Sequence, residues 1–153
     1  MDATLNWKGR MAFEGAGPSG FQHRIDAESS VGGDNSGSRP MELIALGLAG
    51  CTAMDVISIL TKKKQEVSDF QINFHGDRAE EHPKVFTQSV IEYKVYGVNI
   101  DEAAVVRAIG LSAEKYCPAQ AMLEKAFPIK LVYKIYDAAS GNLVTEGEYK
   151  KEK

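Results

Sequence analysis

Two hydrophobic rhythms alternate along the chain. In the first 26 residues, ATLNWK and RMAFEGA set polar against apolar positions around Gly9, and FQHRIDA follows the turn-rich GAGPSG. This pattern predicts short strands. From Ser29 to Pro40, SSVGGDNSGSRP is a run of turn formers with almost nothing to bury. It predicts a mobile loop leading into a helix, and such loops often carry function. Pro40 then opens the long segment PMELIALGLAGCTAMDVISILTKKKQ. Proline suits the first helical position, where its missing N–H costs nothing. Glu42 falls in the positively polarised first turn, and Lys62, Lys63 and Lys64 fall near the negatively polarised end. Between them, Leu43 to Leu60 is apolar or small nearly all the way round, which predicts a helix buried inside a structure. Ala45, Gly47, Ala49, Gly50 and Ala53 would let another backbone approach closely.

Beyond this segment the period returns to two. SDFQINFHGDRAE and VFTQSVIEYKVYGV read as long strands separated by the polar AEEHPK. DEAAVVRAIGLSAEKY reads as a helix that stops before Cys117-Pro118, since a residue preceding proline is pushed from helical dihedrals. Pro118 can begin a second short helix, PAQAMLEKAF. IKLVYKIYDAASGNLVTEGEY reads as two strands joined at Ala138–Asn142. The order predicts a single α+β domain over residues 1–153, with antiparallel sheets and a long buried central helix. One modest sheet covers one side of such a helix. A second copy of the chain would supply the rest through a two-fold interface, which predicts an intertwined homodimer.

Composition narrows the function classes. The 153 residues carry 18 basic and 21 acidic side chains, for a net charge of −3, which argues against binding nucleic acid by neutralising phosphates. The longest apolar stretch, Leu43 to Leu60, is interrupted by Gly47, Gly50, Cys51, Thr52, Asp55 and Ser58, so no membrane span is expected. MDATLNWKGR shows no basic-then-apolar export signal, and a cytoplasmic location is expected. In that setting the two cysteines read as thiols rather than a structural staple. His23, His75 and His82 have neither finger-like nor helical i, i+4 spacing, and no CxxC is present, so no metal is expected. No glycine pattern matches a phosphate-binding loop, and no cofactor is expected.

The two thiols differ in setting. Cys117 occupies the expected N-cap of the Pro118 helix, where free N–H groups and the helix dipole stabilise a thiolate. Cys51 lies mid-helix among apolar residues and needs a cation in reach to act as a nucleophile. Equally, both can be buried structural thiols, a common fate for free cysteine. Trp7, Phe13, Phe21 and Tyr116 can line an apolar pocket or simply fill the core.

RPMELIALGLAGCTAMDV followed by KYCPAQAMLEKAFP resembles the osmotically inducible protein C / organic hydroperoxide resistance (OsmC/Ohr) family. The order of elements is similar over almost the whole chain, and the PMEL…GCT wording is nearer the broad OsmC-like branch than the hydroperoxide-resistance enzymes proper. The resemblance implies an interlocked homodimer with its sites at the subunit interface. It also implies a thiol peroxidase that reduces organic hydroperoxides and is recycled by an external dithiol. By position Cys51 matches the peroxidatic cysteine and Cys117 the resolving one. The family's glutamate directly follows the helix-opening proline, and it works with an arginine from the N-terminal strands. Here Met41 holds that position and Glu42 comes one residue later. On one ideal helix Glu42 and Cys51 are about 13.5 Å apart in rise and about half a turn out of phase. An antiparallel partner helix could bring them together; the alternative is that Glu42 simply favours its own helix dipole. Arg10 is the nearest match to the family's arginine, with Arg39 and Arg24 as further candidates. The alternative function is a non-enzymatic dimeric stress protein binding a small apolar or electrophilic ligand between its subunits.

Overall fold

The computed structural model describes residues 1–151. They form two compact units, Met1–Ala45 and the chain from Leu46 on. In the first unit, strands β1 (Thr4–Trp7), β2 (Phe13–Ala16) and β3 (Gln22–Ile25) make an antiparallel meander. Gly9, at φ +100°, supplies the left-handed backbone that the β1–β2 turn needs.

The loop that leads into the helix is organised around one carboxylate. Asp26, 2% exposed, accepts hydrogen bonds from the N–H groups of Ala27 (2.7 Å), Asp34 (3.0 Å) and Ser36 (3.0 Å). The Ser36 hydroxyl donates a further bond at 2.7 Å. Ser36 is the largest cause holding the Asp26 carboxyl well below the usual carboxylate range. The turn formers of this segment have little to bury, and backbone N–H groups gathered on Asp26 take the place of an apolar core.

Helix α1 (Pro40–Lys62) follows. The Arg39 carbonyl accepts from the Leu43 N–H at 3.2 Å, which places Arg39 at the N-cap. By length and composition α1 is long enough and apolar enough to cross a bilayer, so the small and polar interruptions do not disqualify it as the sequence argument supposed. Core helices pass the same test, and within this chain Leu48, Thr52, Val56 and Leu60 form one buried stripe at intervals of one turn. Leu46 and Met54, at 63% and 69% exposure, lie outside it. A single chain therefore covers one side of the helix.

In the second unit, β4 (Glu66–Arg78), β5 (Phe86–Val98), β6 (Ile129–Asp137) and β7 (Leu143–Tyr149) form one sheet in that order. The antiparallel expectation holds for β4–β5 and β6–β7 and fails at the centre, where β5 and β6 run parallel. Parallel neighbours need a crossover. The connection between them is α2 (Glu102–Leu111), a π-turn at Ser112–Tyr116 and the short α3 (Pro118–Leu123). The core joins the α1 stripe to Ile91, Tyr93 and Val95 of β5, to Val105, Ala108 and Ile109 of α2, and to Leu131 and Ile135 of β6.

Candidate active site

The predicted N-cap of α3 is where the sequence puts it. The Asp101 carboxylate caps α2 by accepting from the Ala103 N–H at 3.0 Å. The expected helix DEAAVVRAIGLSAEKY then gives way at Ser112 to a π-turn, closed by the Cys117 N–H donating to the Ser112 carbonyl at 2.9 Å. Such turns often sit at functional sites. This one ends on Cys117, which is 2% exposed and accepts from the Gln120 N–H through Sγ at 3.3 Å.

Cys51, half-buried on α1, packs against the core cluster that holds Cys117, close enough to act on its protonation, and both thiols are free. Burial first, and then the neighbouring Cys51, push the Cys117 thiol up to about 12, against the opposing pull of the Gln120 N–H. This reverses the expectation that the N-cap stabilises a Cys117 thiolate. A six-residue helix offers one good N–H to the sulfur, and desolvation outweighs it.

A chain of hydroxyls flanks the pair. Ser112 Oγ donates to Asp55 Oδ2 at 2.9 Å. With that proton committed, the 3.0 Å contact between Thr52 Oγ1 and Ser112 Oγ must be donated by Thr52. The 2.7 Å contact between Tyr93 and Thr52 must in turn be donated by the Tyr93 phenol, whose pKa burial raises. Protons thus point from Tyr93 through Thr52 and Ser112 toward Asp55. Thr52 and Ser112 are fully buried, whereas Asp55 also lines an open cleft of about 380 Å³ with Ser58, Ile59, Lys62, Leu111 and Tyr116.

The sequence pointed to the two sulfurs of this cluster and not to the neighbouring Thr52, Asp55, Tyr93 and Ser112. Asp55 carried a usable signal: it follows Cys51 by one helical turn, so a carboxylate was bound to share that face of an apolar helix. Tyr93 and Ser112 carried none, because a β-strand and a π-turn deliver them from distant sequence.

The other predicted site residues have their bonds within the N-terminal unit. Arg10, in the left-handed region at φ +48°, pairs with Asp34 at 2.5 Å. Arg24 pairs with Glu14 at 2.7 Å. Arg39 donates to the Gly37 carbonyl at 2.6 Å and to Asn35 Oδ1. Glu42 Oε2 accepts from the Arg39 N–H at 2.9 Å, the glutamate half of a capping box.

Comparison with known proteins places this geometry. A family model described as OsmC-like protein matches residues 33–132. Protein YhfA of Escherichia coli strain K12 is 41% identical over 138 residues, covering 90% of this chain and 100% of the relative. A solved structure of a hypothetical protein from Aquifex aeolicus VF5 is 30% identical, with a TM-score of 0.78, covering 89% of this chain and 96% of that one. The organic hydroperoxide resistance protein OhrB of Bacillus subtilis shares the fold at 17% identity and a TM-score of 0.58, covering 88% of this chain and 98% of that one. From the family match and the relative that aligns over its whole length, the chain belongs to the OsmC-like protein family.

Proposed function

We propose that this protein is a thiol-dependent peroxidase that reduces organic hydroperoxides to alcohols, working as a cytoplasmic homodimer recycled by an external dithiol. The observation that carries this reading is that α1 and the N-cap of α3 bring Cys51 and Cys117 to one core cluster, within electrostatic reach of each other. It pairs a half-buried cysteine with a buried one whose thiol burial pushes up. The Cys51 thiolate attacks the terminal oxygen of ROOH, so an S–O bond forms and the O–O bond breaks; that oxygen keeps its proton as the sulfenic acid, and the departing alkoxide takes a proton from solvent and leaves as ROH. Cys117 then attacks the Cys51 sulfenic acid, an S–S bond forms, the S–O bond breaks and water leaves. Exchange with the external dithiol removes the disulfide and returns two electrons.

A nucleophilic Cys51 calls for a cation, and Arg10 and Arg39 are the residues to test, with Glu42 as the carboxylate. Lending a guanidinium to Cys51 would require Arg10 to leave Asp34, or Arg39 to leave Asn35 and Gly37. The exposed Leu46 and Met54 of α1 support the dimer, because a second copy would cover them.

With cumene hydroperoxide and a dithiol, the protein is expected to consume peroxide. Cys51→Ser is expected to fall to background, and Cys117→Ser to accumulate a sulfenic acid at Cys51. One observation favours the rival reading of a ligand-binding stress protein. Met41 stands where the family's glutamate is expected, and Glu42 is bonded to the Arg39 N–H. Peroxide loss that is equally slow in the parent and in both cysteine variants would decide for that rival.

A further inference from the structure

Asp55 is a carboxylate in the middle of an apolar helix, half-buried, with no ion pair among the described residues. Its hydrogen bond comes from the Ser112 hydroxyl, so most of its lone-pair positions are left over. Such a group is costly to keep unless it serves a purpose. Two features point to one. The Ser112 that holds Asp55 through its hydroxyl also holds the Cys117 N–H through its carbonyl, so the π-turn ties the carboxylate and the buried thiol to one residue. Asp55 also borders the open cleft of about 380 Å³, which links this interior cluster to solvent.

We propose that Asp55 is the proton acceptor for Cys117 in the disulfide-forming half of the reaction, with Ser112 as its positioning residue. The inference rests on the peroxidase reading. In the step, the Cys117 sulfur attacks the sulfenic sulfur of Cys51 while its proton passes to the Asp55 carboxylate. The S–S bond forms and the S–O bond breaks. Asp55 then returns the proton to the departing hydroxide, which leaves as water. The Cys117 sulfur is oxidised and the Cys51 sulfur reduced by the same amount, and Asp55 ends as it began. The groups facing Asp55 are Ser112, Lys62 and Tyr116 around the cleft, and Cys117 and Tyr93, on which its charge acts.

The sign of the effect separates proton transfer from simple charge. The Asp55 charge helps raise Cys117, so removing it favours the Cys117 thiolate and, by charge alone, would speed disulfide formation. Proton transfer predicts the reverse.

Reduced full-length protein mixed rapidly with cumene hydroperoxide gives two readouts. Sulfenic acid is trapped with a 1,3-diketone, and disulfide formation is followed as loss of free thiols. For Asp55→Asn, sulfenic acid formation is expected to stay within about threefold of the parent. Disulfide formation is expected to slow by at least about tenfold, with its rate climbing into the alkaline range as hydroxide replaces the missing base. Asp55→Glu is expected to recover part of the rate. Ser112→Ala, a smaller perturbation, is expected to slow the same step by about threefold or more and checks the outcome should the asparagine variant not fold. An unchanged or faster disulfide step with a parental pH profile in these variants overturns the inference. No trapped sulfenic acid in Cys117→Ser, together with no loss of free thiols in the parent protein, overturns the peroxidase reading itself.

Discussion

Two aspartates with opposite surroundings divide the molecule. Asp26, in the N-terminal unit, is buried and accepts from Ala27, Asp34 and both the N–H and hydroxyl of Ser36. Asp55, in the second unit, is half-buried and accepts from the Ser112 hydroxyl. The first carboxylate is saturated by donors of its own loop, which fixes the charge and the loop together. The second has spare acceptor capacity, an opening to solvent and a thiol within electrostatic reach. Saturation marks a structural carboxylate, and spare capacity marks one available for chemistry.

The sharpest way to break this comparison is Asp26→Asn. The amide places N–H donors against the Ala27, Asp34 and Ser36 donors, and the melting temperature is expected to fall by several degrees at pH 7. The acid dependence gives the sign. The folded-state pKa of Asp26 lies below its unfolded value, so its contribution is fully present above about pH 4 and is lost as pH falls further. Urea midpoints of parent and variant should therefore differ at pH 7 and converge toward pH 2. A gap that persists undiminished in acid would show that the charge of Asp26 is not what holds the loop.

Thr52→Val comes next. It removes the hydroxyl that accepts from Tyr93 and donates to Ser112, leaving a buried phenol unpaired, and is expected to cost about 1–3 kcal/mol in urea unfolding. It leaves the Ser112–Asp55 bond in place, so the disulfide step should change little. A large loss of disulfide rate with stability untouched would instead make the hydroxyl chain part of the chemistry.

The architecture was legible because hydrophobic period and turn chemistry agree along most of the chain. The alternation at Phe70, Ile72 and Phe74, the proline at position 40 and the break before Pro118 each marked an element or its end. The parallel β5–β6 pair was not legible, because alternation reports which face a residue occupies and carries nothing about strand direction. The hydrogen bonds that gather the loop on Asp26 were not legible, because turn formers with no apolar content do not show which acceptor their donors will find. Both sulfurs of the site were readable, but their balance was not. Cys117 stands at the expected N-cap of α3, yet burial pushes its thiol up rather than down.

Glu42→Ala is the smallest test and bears on the same division. Its carboxylate accepts from the Arg39 N–H at the start of α1, so the substitution is expected to cost about 0.5–1 kcal/mol of stability. If helix capping is its whole role, turnover with cumene hydroperoxide should stay within about threefold of the parent. A collapse in turnover at near-parental stability would move Glu42 from the structural carboxylates to the chemical ones.

The central claim is that Cys51 and Cys117 act as one redox pair, with Cys51 meeting the peroxide. The most direct test treats reduced protein with one equivalent of cumene hydroperoxide and maps its peptides by mass spectrometry. The account predicts a single Cys51–Cys117 disulfide, with two hydrogen atoms lost and no oxygen retained. Oxygen retained on Cys117 while Cys51 stays reduced, or both thiols intact after the peroxide is in excess, would contradict it.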